Sequence, residues 1–102
     1  MSEWLKVCDR HDLPPEGQAR EFSVAGRTLC VATIAGQPLA LDNVCPHRGG
    51  PLAEGVVEHG KIICPWHQFE FDLATGEAVH APTLKALTYT LRLVDDQVMV
   101  EI

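Results

Sequence analysis

The 102-residue chain is 46% hydrophobic and 22% charged, which suits one compact domain and argues against a disordered or fibrous class. Eight Lys and Arg against fourteen Asp and Glu leave a net charge of -6 with no basic cluster, so the balance speaks against nucleic acid as a partner. The longest uncharged stretch, Thr28 to Leu41, is 14 residues with Gly36 and Pro38 inside it, short of the roughly 20 apolar residues of a membrane span. Glu3, Lys6, Asp9 and Arg10 interrupt any apolar secretory core, so a cytoplasmic, reducing location is expected. Four cysteines there read as metal ligands, reactive thiols or buried small hydrophobes before they read as a disulfide framework.

In chain order, runs rich in Val, Ile, Leu and Thr recur about every ten residues between Gly, Pro and Asp, the pattern of an all-β domain. Strands are expected near Trp4 to Val7, Arg20 to Val24, Thr28 to Ile34, Pro38 to Asp42, Gly55 to Glu58 and Lys61 to Cys64. Four more follow near Glu70 to Asp72, Glu77 to Val79, Leu87 to Val94 and Gln97 to Ile102. Ala25-Gly26, Ala35-Gly36, His59-Gly60 and Thr75-Gly76 supply the glycine that tight hairpins need, and Asp95-Asp96 closes the last one. In the run from Leu87 to Leu93, Leu and Tyr alternate with Thr and Arg, which predicts one strand with one buried face. No repeat, linker or low-complexity segment divides the chain, so residues 1–102 are read as one domain.

Two segments break the β pattern and resemble each other: Cys45-Pro46-His47, then sixteen residues, then Cys64-Pro65-Trp66-His67. Each follows an apolar run, Leu39 to Leu41 or Ile62-Ile63, so two loops should project from strand ends and clamp something between them. Two thiolates and two imidazoles are a full ligand set, stiffened by the prolines. Zinc accepts such a set, but structural zinc sites usually pair Cys with Cys and His with His, whereas here each loop offers one of each. A [2Fe-2S] cluster with two Cys on one iron and two His on the other matches the mixed pairing.

This pattern, with Arg48-Gly49-Gly50-Pro51-Leu52 after the first loop and Phe69-Glu70-Phe71-Asp72-Leu73-Ala74-Thr75-Gly76 after the second, resembles the Rieske iron-sulfur signature over about a third of the chain. The resemblance implies an antiparallel β sandwich with a two-loop cluster-binding subdomain, one [2Fe-2S] cluster, and Cys45, His47, Cys64 and His67 as its ligands. With two neutral histidines the oxidised centre is uncharged, so an added electron meets less repulsion than in a four-thiolate cluster; Rieske centres accordingly span roughly -150 to +300 mV against roughly -400 mV.

The high-potential, respiratory branch of that family carries a Ser and a Tyr in the second loop and a disulfide between the loops. Aligned on Cys64 and His67, those positions are Phe69 and Phe71, and the bridge positions are Gly50 and Trp66. The chain therefore looks like the low-potential branch, the ferredoxins of ring-hydroxylating and related oxygenases. That likeness implies a one-electron carrier between a flavin-containing reductase and a terminal oxygenase, without a substrate of its own. Pro46, Trp66 and Pro82 are candidate docking or shielding residues, with Pro51 and Leu52 completing an apolar rim.

Two other readings have different consequences. The small subunit of a NAD(P)H nitrite reductase is similar in fold and size, and a zinc-stabilised binding module would use the same donors. A complete Rieske oxygenase needs a further iron domain that this length does not hold. Cys8 and Cys30 are expected to be buried thiols, His11 and His59 solvated, and His80 a packing residue beside the Pro82 loop.

Overall fold

The computed structural model describes residues 3–46, 49–66 and 68–102, and of Pro82 the backbone only. Twelve strands form three antiparallel sheets, with two single-turn 3-10 helices as the only helical elements among these residues. The central sheet has the order β10-β4-β3-β2, from β2 (Ala19–Val24), β3 (Arg27–Ile34), β4 (Gln37–Asp42) and β10 (Thr88–Tyr89). On one side lies a three-stranded sheet of β1 (Trp4–Asp9), β12 (Gln97–Glu101) and β11 (Leu91–Val94). On the other lies a five-stranded meander of β5 (Val56–Glu58), β6 (Lys61–Ile63), β7 (Glu70–Asp72), β8 (Glu77–Ala78) and β9 (Ala81–Lys85).

The middle position of β3 follows from its sequence. Leu29, Val31, Cys30 and Ala32 are all buried, so the strand is apolar on both faces. Because successive side chains point to opposite faces, Leu29 and Val31 pack with Val24, Ala40 and Val100 in one core, while Cys30 and Ala32 pack with Leu41, Ile62, Phe71 and Leu73 in the other. Cys45 and Cys64 belong to this second core. Tight turns carry both residues at positive φ: Ala25-Gly26, Ala35-Gly36, His59-Gly60 and Asp95-Asp96.

Two expectations change. The single strand over Leu87 to Val94 is two strands, because the chain leaves the central sheet after Tyr89, which pairs with Ala40, and joins the outer sheet at Leu91, which pairs with Val100. Tyr89 and Leu91 pack into the first core, whereas Leu87 and Leu93 are exposed, so the buried face is confined to the middle of the run. Residues 81–85, read as a proline-containing loop, form β9. It is the outer strand of its sheet, where a residue without an N–H is tolerated.

Gly76 secures the approach to β8. It has φ +82°, and a Cβ there would stand 2.2 Å from the Ala86 carbonyl oxygen; Gly36, at φ +77°, has open space around it. Gly36→Ala should therefore cost about 1 kcal/mol, the strain of a left-handed alanine alone, and Gly76→Ala at least about 3 kcal/mol. Urea unfolding of the two variants measures the difference, and equal losses would contradict the packing of Gly76 against Ala86.

Candidate metal centre

The two predicted loops emerge as expected, the first from the end of β4 and the second between β6 and β7. They share one closure. The Cys45 N–H donates to the Gly50 carbonyl at 2.8 Å, and the Cys64 N–H donates to the Phe69 carbonyl at 2.7 Å, each bond spanning five residues. Gly49 N–H returns to the Cys45 carbonyl at 2.7 Å, and a bridge between Val44 and Pro51 pins the base of the first loop. Each cysteine thus sits at the root of its loop, where the backbone is still tied to the sheet.

The two roots meet. Cys45 and Cys64 are both fully buried, and their thiols are hydrogen-bonded to each other. Burial pushes the Cys64 thiol up, and the neighbouring Cys45 adds to that, while the Trp66 backbone N–H donated to the sulfur works the other way. Two thiols held this close in an apolar core cannot both ionise unless a cation compensates them, and metal coordination does so. The donor chemistry therefore fits one iron of a thiolate-bound cluster. His47 and His67, the other two predicted ligands, lie outside the described residues.

Gly50 makes room for this meeting. A Cβ on it would stand 3.0 Å from the Cys64 sulfur and 2.9 Å from Cγ of Trp66, so the first loop touches the second through a bare backbone. Gly50 and Trp66 are also the two positions aligned with the inter-loop disulfide of the high-potential branch, and the structure places them in contact. Trp66 is 49% exposed, with its ring resting on Gly50 and the rest facing outward.

Of the other predicted site residues, Pro46 is exposed, as are Val44 in the first loop and Pro65 and Trp66 in the second. Leu52 does not join them. The residue is fully buried in the core below the thiols, because the 3-10 turn Leu52–Glu54 turns its side chain inward. Phe71 is buried in the same core as both cysteines, and Phe69 packs against it with ring centroids 6.4 Å apart.

His80 is exposed, not packed, and lines a cleft of about 200 Å³ with Gln68, Phe69 and Glu70. Cys8 and Cys30 are buried as expected; burial raises both thiols, Cys30 to about 12, and all four cysteines are free. His59 and His11 are exposed.

Sequence reasoning passed over Asn43. It is the only polar or charged side chain fully buried among the described residues, and it precedes Cys45 by two positions.

Comparison with known proteins settles the family. The description of the Rieske [2Fe-2S] domain matches residues 3–94. The chain belongs to the Rieske [2Fe-2S] family. Over 101 residues it is 31% identical to the ferredoxin component of the naphthalene 1,2-dioxygenase system of Pseudomonas aeruginosa, covering 98% of this chain and 96% of that one. The Rieske fold here superposes with a TM-score of 0.85 on a chain of the complex of reduced oxygenase and oxidised ferredoxin in carbazole 1,9a-dioxygenase, at 28% identity and with 95% and 91% of the two chains covered. A nitrite reductase small subunit from Mycobacterium tuberculosis superposes at TM-score 0.88 over 100% of this chain and 96% of that one, but at 20% identity it shares the fold alone.

Gly50→Ala should push the Trp66 ring off its seat and crowd the Cys64 sulfur, lowering the iron retained on purification. Gly50→Ala with Trp66→Leu should recover part of it. Iron content per chain measures both, and a fully loaded Gly50→Ala protein would show that the loops do not pack this tightly.

Proposed function

We propose that this Rieske protein is the ferredoxin component of an oxygenase system, carrying single electrons from a flavin-containing reductase to a terminal oxygenase in the cytoplasm. The observation that carries the reading is the pair of buried, mutually hydrogen-bonded thiols at the roots of two equivalent loops, in a chain matched end to end by a dioxygenase ferredoxin. Residues 1–102 act as one Rieske unit. Cys45 and Cys64 hold one iron; His47 and His67 hold the other.

When bound, the cluster supplies a one-electron couple. The chain's own part is to fix the ligands, exclude water and present an edge. The core beneath the thiols, Leu52, Ile62, Phe71 and Leu73, keeps water from the sulfurs. Pro46, Pro65 and Trp66 are exposed apolar residues of the two loops on which a partner can close, and the net charge of -6 favours a partner with a basic face. His80 lines a cleft with Gln68 and Phe69 of the second loop.

The nitrite reductase reading predicts co-purification with a sirohaem-containing large subunit, and a zinc module predicts a colourless protein. The ferredoxin reading predicts a red-brown protein with about two irons and two acid-labile sulfides per chain, and an EPR signal of average g near 1.9 on reduction. His47→Ala and His67→Ala should each abolish the cluster, since each iron needs its full donor set, while His59→Ala keeps it. Cluster retained in His67→Ala and lost in His59→Ala would reverse the ligand assignment.

The second loop sets the potential. Phe69 and Phe71 offer no side-chain hydrogen to a cluster sulfur, so the wild type should fall at the low end of the Rieske range, about -150 mV. Phe69→Ser with Phe71→Tyr should raise it by roughly 40 mV per new hydrogen bond, taking about 1 kcal/mol for each. Protein-film voltammetry reads both values. A wild type near +300 mV, or a double variant without an upward shift, would remove these two positions from the surroundings of the cluster.

A further inference from the structure

Asn43 has a partner for every polar group it carries. Its backbone N–H donates to the Thr28 carbonyl of β3 at 2.9 Å, and its backbone carbonyl accepts the Leu52 N–H at 2.8 Å. Its side-chain Oδ1 accepts the Ala53 N–H at 2.7 Å, and its Nδ2 donates to Oε1 of Glu21 on β2 at 2.8 Å. Leu52 and Ala53 open the 3-10 turn that follows the first loop, so Asn43 ties the point where the chain enters the loop to the turn by which it leaves.

Only an amide fits this place. Oδ1 faces a donor and Nδ2 faces a carboxylate, and Asn presents one acceptor and one donor group a fixed distance apart. Glu21 decides which way round the amide lies, because an oxygen turned toward its carboxylate would meet repulsion in place of a bond. A side chain of this polarity, buried beside an apolar core, is destabilising unless every group is matched, and here all are.

We infer that Glu21 and Asn43 form a positioning clamp for the first ligand loop, fixing Cys45 relative to Cys64 by tying the residue before the loop to the turn after it. The inference rests on the reading of Cys45 as a cluster ligand. It assigns Asn43 no contact with the cluster; the effect passes through the loop backbone, whose own closure runs from Cys45 to Gly50.

The test uses the holoprotein and three readouts: the rate at which an iron chelator bleaches the visible absorption, the width of the EPR lines of the reduced protein, and the hydrogen exchange of the Leu52 and Ala53 amides. Asn43→Ala and Asn43→Asp should bleach about tenfold faster, with broadened EPR lines and faster exchange at Ala53, because the alanine removes the acceptor of the half-buried Ala53 N–H and the aspartate sets a second carboxylate against Glu21. Glu21→Gln keeps an acceptor oxygen and should accelerate bleaching less than Asn43→Asp does.

The decisive variant is the double one. In Asn43→Asp with Glu21→Gln the polarity is reversed: the Gln amide donates to the carboxylate, and the other carboxylate oxygen still accepts from Ala53. It should bleach more slowly than Asn43→Asp alone and regain narrow EPR lines. A single Asn43→Asp variant as durable as the wild type overturns the clamp, as does a double variant no better than that single one, including the case where neither assembles a cluster. Failure of the ligand reading has a different signature, a wild type without [2Fe-2S] absorption or a His67→Ala variant with a full cluster, and the Ala53 exchange rates then still report on the clamp.

Discussion

Two thiols pressed together in an apolar core are the constraint around which this domain is arranged. Cys45 and Cys64 are fully buried and hydrogen-bonded to each other as free thiols, and burial holds the Cys64 thiol against ionisation. Such a pair becomes a useful ligand set only if both sulfurs keep their places while protons leave and a metal arrives. The fold meets that demand by putting each cysteine at the last tethered position of a strand, where its N–H is already committed to a carbonyl five residues on. The loops beyond can then carry the histidines without having to locate the sulfurs as well.

The central sheet makes this possible by burying both faces. Cys30 and Ala32 of β3 form the floor under the thiols, and Leu29 and Val31 on the reverse face anchor that floor to the outer sheet. Small residues matter in this layer. A strand with larger side chains at Cys30 and Ala32 would lift the five-stranded sheet, and with it Cys64, away from Cys45. The buried Cys30 thiol is raised to about 12 by desolvation, which keeps it protonated and inert. Cys30 has burial alone acting on it, whereas Cys64, in the same core, also receives the Trp66 backbone N–H and faces Cys45.

Much of this was legible in the sequence where a local rule acts alone. Alternation and turn glycines located nine of the ten expected strands within a few residues, and the two Cys-Pro loops were found because metal ligation leaves a spacing that packing does not imitate. The misses share a physical cause. The Leu87 to Val94 run shows one unbroken alternation, yet the chain changes sheets at Thr90, a decision made by partners about fifty and about ten residues away. Pro82 signalled a loop because the rule against proline in strands does not say that the strand is an edge. Leu52 looked like part of an exposed rim, since nothing in Gly-Gly-Pro-Leu tells which way a 3-10 turn will face. Asn43 left no signal: Asp-Asn after an apolar strand reads as a solvated turn, and only the fold shows that both the donor and the acceptor of its amide are answered inside.

The contact between Gly50 and Trp66 bears on how two such loops are held together without a covalent link. In the high-potential branch the corresponding positions are joined by a disulfide, a link whose survival depends on its redox surroundings. Here the same two points are joined by an aromatic ring lying on a bare backbone, a contact that no thiol can reduce. The exchange has consequences at both ends of the ring. On its inner side a Cβ added at Gly50 would crowd both the ring and the Cys64 sulfur, which makes the packing of the two loops and the placing of that sulfur one constraint. Its outer half remains exposed, so the group that keeps the loops together also presents apolar surface to a partner. Closing a partner over that surface would bury Trp66 further and tighten its seat on Gly50. The binding of a partner and the rigidity of the ligand loops would therefore strengthen each other.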